Sequence, residues 1–346
     1  MHVTEQQAAD DWSVADILIT VTPLLPDAYK PRFLAHARKM VDSGARMAAL
    51  LSLASVFPES EAAPLCDEAF ALAGGIENPW VRVRSLSEVY EVLPSAHRER
   101  FLEVALAAVG EITNEWHKRR AMVPLARHLS EGQAIRAAEM ARGITDPPTR
   151  IEVLSRYARV LPESERVDVF QHLPTLTDEA ARVNTLLVLL PHVPETVQKL
   201  ALTWLQEVTL PAPRIQALTG LGKYFPAYRE VFVREAFGLA QGMEAMEGLY
   251  ALLGLLGYLP EGEKAATWAS LWDMVQAIED PAFKASPMIS LVRLGSEAER
   301  PARQQEVLAT VRQIEGSRRL IMLAVLLGDL PEEARPAILD EILAGI

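Results

Sequence analysis

The chain has 346 residues, of which 50% are hydrophobic and 23% charged, and its formal net charge is −12. This acidic balance disfavours a general nucleic-acid-binding protein, which normally carries an excess of basic residues. The single cysteine, Cys66, cannot form a disulfide within the chain, and the longest apolar stretch, residues 249–259, is too short to span a bilayer. We therefore expect a cytoplasmic protein with no membrane partner.

A short motif recurs along the whole chain, with residues 150–163 (RIEVLSRYARVLPE) as its clearest copy. Each copy contains a hydrophobic residue followed by a proline, which we call the marker; Ser130 and Gly295 replace that proline in two copies. The mean spacing of about 34 residues is typical of a solenoid, in which each repeat is one supersecondary unit stacked on the next. The marker prolines are Pro26, Pro58, Pro94, Pro162, Pro194, Pro226, Pro260 and Pro331.

Each marker is predicted to end a helix, helix A of the repeat, because the residue before a proline avoids the αR conformation. Apolar residues recur 11, 8, 4 and 1 positions before the marker, which places them on one helix face. The column eight before the marker holds leucine or methionine, with Pro287 as a misfit. Sixteen before the marker stands a polar residue that suits a helix N-cap, except at Leu210. The predicted caps are Asp10, Asp42, Asn78, Asn114, Asp146, Asp178, Glu244, Glu279 and Glu315.

A second helix, helix B, is predicted after each marker, so that every repeat is helix, turn, helix, turn. The predicted fold class is all-α: a right-handed α-solenoid of about ten antiparallel helix pairs in a single domain over residues 1–346. Residues 1–12 are expected to form a polar lead-in. Repeats one to ten are predicted near residues 13–41, 42–77, 78–113, 114–145, 146–177, 178–209, 210–243, 244–278, 279–314 and 315–346.

A basic residue stands twelve positions before the marker in six consecutive repeats, near the buried side of helix A. One interpretation is an arginine ladder that binds an anionic ligand. The other is a structural ladder, in which each side chain pairs with an N-cap residue or with helix-B carbonyls of a neighbouring repeat. The second is favoured because arginine forks suit such buried pairing. The ladder comprises Arg46, Arg82, Lys118, Arg150, Arg182 and Arg214.

Positions 13, 10, 6 and 3 before the marker define the predicted outward face of helix A. In repeats three to five this face is rich in arginine, with Glu88, Glu91 and Glu152 interleaved. It is either a solvated face of mixed charge or a groove for an acidic peptide or a nucleic-acid end. The basic residues of this stretch are Arg84, Arg120, Arg127, Arg156 and Arg159.

In repeats eight to ten the same face is apolar, and the last helix B is followed by nothing polar. An exposed apolar patch usually marks a partner or self-association surface, so a protein partner or a homodimer through these repeats is expected. The alternative is that the superhelix curls enough to bury the patch. The candidate contact residues are Tyr250, Gly254, Gly257, Tyr258, Ile289, Val292, Ile321 and Val325.

No catalytic or metal-binding motif is apparent. The seven histidines form no metal-ligand pair of known spacing, and Cys66 has no ligand partner. Residues 220–223 (GLGK) weakly resemble a phosphate loop, but they lie inside a predicted helix and lack the following serine or threonine. We expect no catalytic residue, no metal and no cofactor, and we predict that the protein is not an enzyme.

The two-helix unit resembles a tetratricopeptide repeat. Its cadence of cap, arginine, leucines and Leu-Pro-Glu, as in residues 146–163, also resembles the degenerate helical repeats of bacterial STAND-class signalling and defence ATPases and those beside caspase-like proteases. The resemblance implies a scaffold, sensor or adaptor arm: a non-enzymatic interaction module that binds a peptide or protein partner on the helix-A face. Binding of nucleic acid or a nucleotide by the basic stretch of repeats three to five is the alternative.

Overall fold

The computed structural model describes residues 5–87, 90, 93 and 95–346, and marker Pro94, together with Glu88 and Glu91, lies outside this part of the chain. Within it the secondary structure is helical and contains no strand. The predicted all-α fold of paired helices stacked as a helical-repeat solenoid is confirmed, while its right-handed sense stays a prediction. No helix of the described residues is both long and apolar enough to cross a membrane.

Each repeat supplies one helix A, and most of these helices end four to six residues before the marker. Helix A of repeat one begins at Glu5, so residues 5–12, expected to be a lead-in, are helical and Asp10 lies inside the helix rather than capping it. The A helices are α1 (Glu5–Val21), α3 (Ser43–Ala54), α5 (Pro79–Ser87), α7 (Glu115–Leu125), α9 (Pro147–Arg156), α11 (Glu179–Leu189), α14 (Pro211–Leu221), α16 (Ala245–Leu255), α18 (Pro281–Leu294) and α20 (Ser317–Leu327).

Helix B follows each helix A after a short turn and is divided into two segments in repeat six. Glutamate begins several of these helices, where a carboxylate interacts favourably with the positive end of the helix dipole. The B helices are α2 (Lys30–Lys39), α4 (Glu59–Gly75), α6 (Ser95–Glu111), α8 (Glu131–Arg142), α10 (Glu163–Gln171), α12 (Glu195–Gln198), α13 (Leu200–Leu205), α15 (Arg229–Gln241), α17 (Glu261–Gln276), α19 (Arg300–Val311) and α21 (Arg335–Gly345).

Side-chain N-caps begin five of the A helices as predicted, each accepting a hydrogen bond from a backbone N–H of the first turn. The predicted caps fail at Glu244, which makes no capping bond, at Glu279, because Asp280 caps α18 instead, and at Glu315, because Gly316 with φ of 68° precedes α20. The confirmed caps are Asp42, Asn78, Asn114, Asp146 and Asp178.

The column eight positions before the marker forms the core. All its leucines and methionine, from Leu18 to Leu323, are buried, and each buried leucine side chain stabilises the fold by roughly 1.5–3 kcal/mol. Small residues allow close helix contacts beside this core. A Cβ on Gly220 would stand 2.5 Å from the side chain of Leu187, so Gly220, the first residue of the GLGK segment, lies at a helix–helix contact of α14 with α11.

The chain divides into two compact units, one of Met1–Ile112 with Ile278–Ile346 and one of Thr113–Ala277. In the first unit α1 packs against both α3 and α20, so repeat ten is the neighbour of repeat one. The Tyr29 hydroxyl donates to the Pro336 carbonyl at 3.2 Å, and Arg32 forms an ion pair with Asp340 at 3.0 Å. Repeat ten, for which the sequence indicates no polar cap, is therefore covered by repeat one of the same chain.

In the second unit the A helices pack in a row, α7 on α9, α9 on α11 and α11 on α14. Helix α16 instead packs closely on α15, and Gly248 makes this contact possible. A Cβ on Gly248 would stand 2.8 Å from the Ala240 carbonyl oxygen. Gly248 occupies the ladder position of repeat eight, so a glycine replaces the basic side chain where two helices approach most closely.

Two glycines of α16 should respond oppositely to substitution by alanine. Gly248→Ala forces a backbone shift and should lower the free energy of unfolding by about 1–3 kcal/mol. Gly254→Ala adds a Cβ that meets nothing within 4 Å, so it should raise that free energy by about 0.5–1 kcal/mol through helix propensity. Urea denaturation of both variants measures the difference; equal effects would refute the close contact at Gly248.

Candidate partner-binding site

A groove opens where the row of A helices is interrupted. Helix α16 packs on α15 and stands apart from α14, which leaves a space of about 570 Å³ between α14 and α16. Its walls are mainly apolar, with Gln216 and Glu247 among the polar residues. The lining residues are Ala212, Ile215, Gln216, Thr219, Met243, Glu247, Tyr250, Ala251, Gly254, Leu255 and Tyr258.

The α16 side of the groove contains three of the predicted contact residues. Tyr250 is 48% exposed, Gly254 is exposed and Tyr258 is half-buried. Within the described part of the chain neither tyrosine hydroxyl has a hydrogen-bond partner, and the position of a Cβ on Gly254 or Gly257 is open space. This side can therefore receive an apolar group and offer two hydroxyls, while its role in binding stays a prediction.

Two smaller cavities adjoin the groove at Tyr258. One, of about 180 Å³, shares Thr219 and Tyr258 with the groove and is also lined by Lys223 and Arg229. The other, of about 480 Å³, lies between α15 and the start of α17. The α14–α15 side of the site was not predicted from the sequence. Lys223 was a signal for it, because it stands three residues before its marker, as Arg127 and Arg159 do in their repeats.

In repeat nine the predicted outward residues are wrong, since Ile289 and Val292 are both buried at 3% exposure. The cap of α18 is Asp280, one residue later than predicted, and Met288 rather than Pro287 is the fully buried residue equivalent to the leucine column. A slip of one residue rotates a helix by about 100° and moves outward positions into the core. The misfit of Pro287 was the sequence signal of this slip.

In repeat ten, Ile321 and Val325 are only half-buried. The Val325 carbonyl accepts a hydrogen bond from Arg293, which is also paired with Asp329. Helix α20 is covered by α1 and α18 on its two sides. The burial of Ile289 and Val292 removes repeat nine from the predicted apolar surface, while a homodimer through the C-terminal repeats stays a prediction.

Two arginines of the basic stretch lie against tryptophan rings. The Arg84 guanidinium lies 5.3 Å from the centre of the Trp12 ring, and that of Arg120 lies 4.6 Å from the centre of the Trp116 ring. Both side chains are exposed and so remain accessible to solvent. Cation–π contacts of this kind hold the guanidinium on a protein surface rather than leaving it extended.

The other three arginines of the stretch are engaged by the protein itself. Arg127 donates to the His128 ring at 2.8 Å, and Arg159 donates to the Leu129 carbonyl. Arg156 is half-buried, and burial, with the nearby Arg119, lowers its pKa. The guanidinium groups of Arg127 and Arg159 are thus bound by neighbouring groups of the protein.

Three ladder arginines bind the C-terminal carbonyls of the preceding helix B, which the structural interpretation predicts. Such carbonyls have no partner within their own helix. Arg46 and Lys118 make no such bond among the described residues, so the ladder is not uniform. The pairs are Arg82 to Ile76 at 2.8 Å, Arg150 to Ile144 at 3.0 Å, and Arg214 to Leu205 at 3.0 Å and to Val208 at 2.9 Å.

The ladder arginines also contact the helix B of their own repeat. Arg82 pairs with Glu111 at 3.2 Å and Arg214 with Glu235 at 2.6 Å. Arg182 lies 4.0 Å from Glu207. Each of these arginines therefore ties its helix A to a carboxylate on the following helix, and the ligand-binding interpretation of the ladder finds no support in these contacts.

Two further columns of helix-end contacts were missed in the sequence. Asp11, Glu115 and Glu179 each accept backbone N–H groups at the start of the next repeat, and these bonds lower the pKa of both glutamates. A donor four residues after the marker binds the end of helix A. Its examples are Arg98 to Leu93 at 3.0 Å, Gln198 to Val193 at 3.1 Å and Arg335 to Leu330 at 3.1 Å.

The described residues contain no group of three or more histidine, cysteine, aspartate or glutamate side chains that could hold a metal ion. Cys66 is buried, and burial raises the pKa of its thiol to about 11. A thiol with so high a pKa is a poor nucleophile at neutral pH, since the thiolate is the reactive form.

No known protein family matches this sequence, and no curated protein matches it. Among solved structures, one described as "Computational Design of Self-Assembling Cyclic Protein Homooligomers" aligns with 98% of this chain and 95% of its own at 13% identity, with a TM-score of 0.12. A TM-score this low is not evidence of a shared fold, and the alignment says nothing about function.

Removal of a ladder arginine should destabilise the fold. Arg214→Ala leaves the Val208 carbonyl and Glu235 without their donor and removes one of the two hydrogen bonds to the Leu205 carbonyl, so the free energy of unfolding should fall by about 2 kcal/mol. Arg234→Ala removes only an exposed pair with Glu230 and should change it by less than about 0.5 kcal/mol. Urea denaturation measures both; a loss at Arg214 no larger than at Arg234 would contradict the structural ladder.

Stability should depend on pH through His192. Its burial, with Arg166 and Arg159 nearby, lowers its pKa from the usual 6.5. The folded state thus favours the neutral ring. The stability that His192 contributes is complete above pH 6.5 and is lost as pH falls from 6.5 through the lowered pKa. Thermal midpoints between pH 7.5 and 5 should fall less steeply in His192→Gln than in the wild type, and parallel curves would contradict this.

Proposed function

We propose that the protein is a non-enzymatic interaction module that binds a peptide segment of a partner protein in the groove between α14 and α16. The groove itself is the observation that supports this proposal. It is open, mainly apolar, about 570 Å³ in volume and lies on the A-helix side of the second compact unit. Ligand sites are typically concave and apolar with a few convergent polar groups, and the two unpartnered tyrosine hydroxyls fit that description.

The volume suits a few side chains rather than a whole domain. Apolar anchor residues of a peptide would contact Ile215 and Leu255, and the open position at Gly254 would let the peptide backbone approach α16. Peptides bind helical proteins by placing such anchors in a groove, with polar groups around the rim fixing their orientation.

The resemblance to STAND-class sensor repeats extends the proposal to a cytoplasmic sensor or adaptor arm in a bacterial signalling or defence system. Nucleic-acid or nucleotide binding by the basic stretch remains the alternative. It is less favoured because Arg127 and Arg159 are engaged internally and Arg156 is half-buried. Nucleic-acid binding would also have to overcome the net charge of −12.

Filling the groove should abolish peptide binding. The probe is a display library of random twelve-residue peptides, selected on the immobilised full chain, with the enriched peptides then synthesised and measured by fluorescence anisotropy. Gly254→Leu places a side chain in the open groove and should weaken these peptides by at least about tenfold, or about 1.4 kcal/mol.

Gly238→Leu is the matched control, because Gly238 lies in α15, is exposed and also has nothing within 4 Å of its Cβ position, but does not line the groove. It should leave peptide affinity unchanged. Both variants should unfold at or above the wild-type temperature, since leucine favours a helix more than glycine does. Failure to enrich any peptide, or equal binding to both variants, would refute the proposal.

A further inference from the structure

We propose that the partner segment carries an acidic residue next to its apolar anchors, and that its carboxylate binds between Lys223 and Arg229. This inference rests on the proposed function and specifies the chemistry of the partner. It starts from the 180 Å³ cavity that shares Thr219 and Tyr258 with the groove and is lined by both basic residues.

Among the described residues the two cations have no partner of their own. Within the described residues neither Lys223 nor Arg229 makes an ion pair or a side-chain hydrogen bond, although both line one cavity. By contrast, Arg142, Arg214 and Arg234 of the same compact unit are paired with glutamates at 2.6 to 2.8 Å. In a chain with a net charge of −12, two unpaired cations beside an apolar groove are a specific feature.

No carboxylate lines this cavity. Its other walls are Leu218, Thr219, Gly222, Pro226, Val233 and Tyr258. Glu230 and Glu263 line the further cavity, which Arg229 also lines, and Glu230 is paired with Arg234 at 2.6 Å. A partner's carboxylate in the smaller cavity would therefore meet two donors and no acidic residue of that cavity's own lining.

The first part of the Arg229 side chain packs against the protein. Its Cγ lies 3.6 Å from where a Cβ of Gly222 would stand, so its aliphatic stem packs at the end of α14. Glu247 lies among the residues of the groove on the other side, near the start of α16. The groove thus has an acidic residue, Glu247, on one side and the two basic residues on the other. A peptide with a carboxylate on one side of its apolar anchors therefore has a single favoured orientation.

Charge reversal tests the inference. The peptides enriched on the full chain are sequenced, and their binding is measured to the wild type, to Lys223→Glu with Arg229→Glu, and to Lys39→Glu with Lys199→Glu. The last pair gives the same change in net charge at exposed lysines that line neither the groove nor the cavity.

We expect an Asp or Glu beside the apolar residues of the enriched peptides, and at least about tenfold weaker binding to the first double variant only. Replacement of that acidic residue by its amide should weaken wild-type binding and restore part of the binding to the reversed variant. Enriched peptides that bind Gly254→Leu more weakly than the wild type but contain no acidic residue would overturn this inference and leave the proposed function standing. Equal loss in both double variants would also overturn it, because the effect would then be one of net charge.

Discussion

The fold depends on satisfying the polar groups at the ends of many short helices. Every helix leaves N–H groups at its start and carbonyls at its end without a partner in the helix, and a stack of two-helix repeats multiplies such ends. Here side chains of adjacent helices supply the partners. Asp146 caps its own helix, Glu115 accepts from the first N–H groups of the next repeat, and Arg150 donates to the end of the preceding helix B. These bonds join each repeat to its neighbour.

The groove lies where these helix-end contacts change. Repeat eight has Gly248 in place of the ladder arginine, and Glu244 makes no capping bond. Without a side chain at position 248, α16 can approach the end of α15, where the Ala240 carbonyl occupies the space that a Cβ would need. The same helix is separated from α14 by the groove, so the close contact with α15 and the space beside α14 occur together at this repeat. The interruption of the ladder and the groove are thus two aspects of one packing change.

Local patterns could be predicted from the sequence, whereas tertiary contacts could not. The leucine column and the caps at Asp42 and Asp178 follow from helix periodicity and hydrogen bonding within one turn. The burial of Ile289 was missed because the repeat-nine marker was assigned one residue early, although the misfit of Pro287 in the leucine column signalled the error. The packing of α1 on α20 joins residues about 300 positions apart, and no periodicity encodes such a contact.

Only one wall of the groove could be predicted from the sequence. Tyr250, Gly254 and Tyr258 follow from the outward face of α16, but the α14 wall and the cations could be found only from the space between helices. The negative net charge of the chain and the two cations beside the groove together affect which ligands the site favours. A net charge of −12 repels a polyanion over distances of about the 10 Å Debye length at 0.1 M salt, whereas Lys223 and Arg229 act at contact distance. In the proposed binding mode, such a chain would repel a nucleic acid through its net charge and would still offer two donors to one carboxylate held by apolar neighbours.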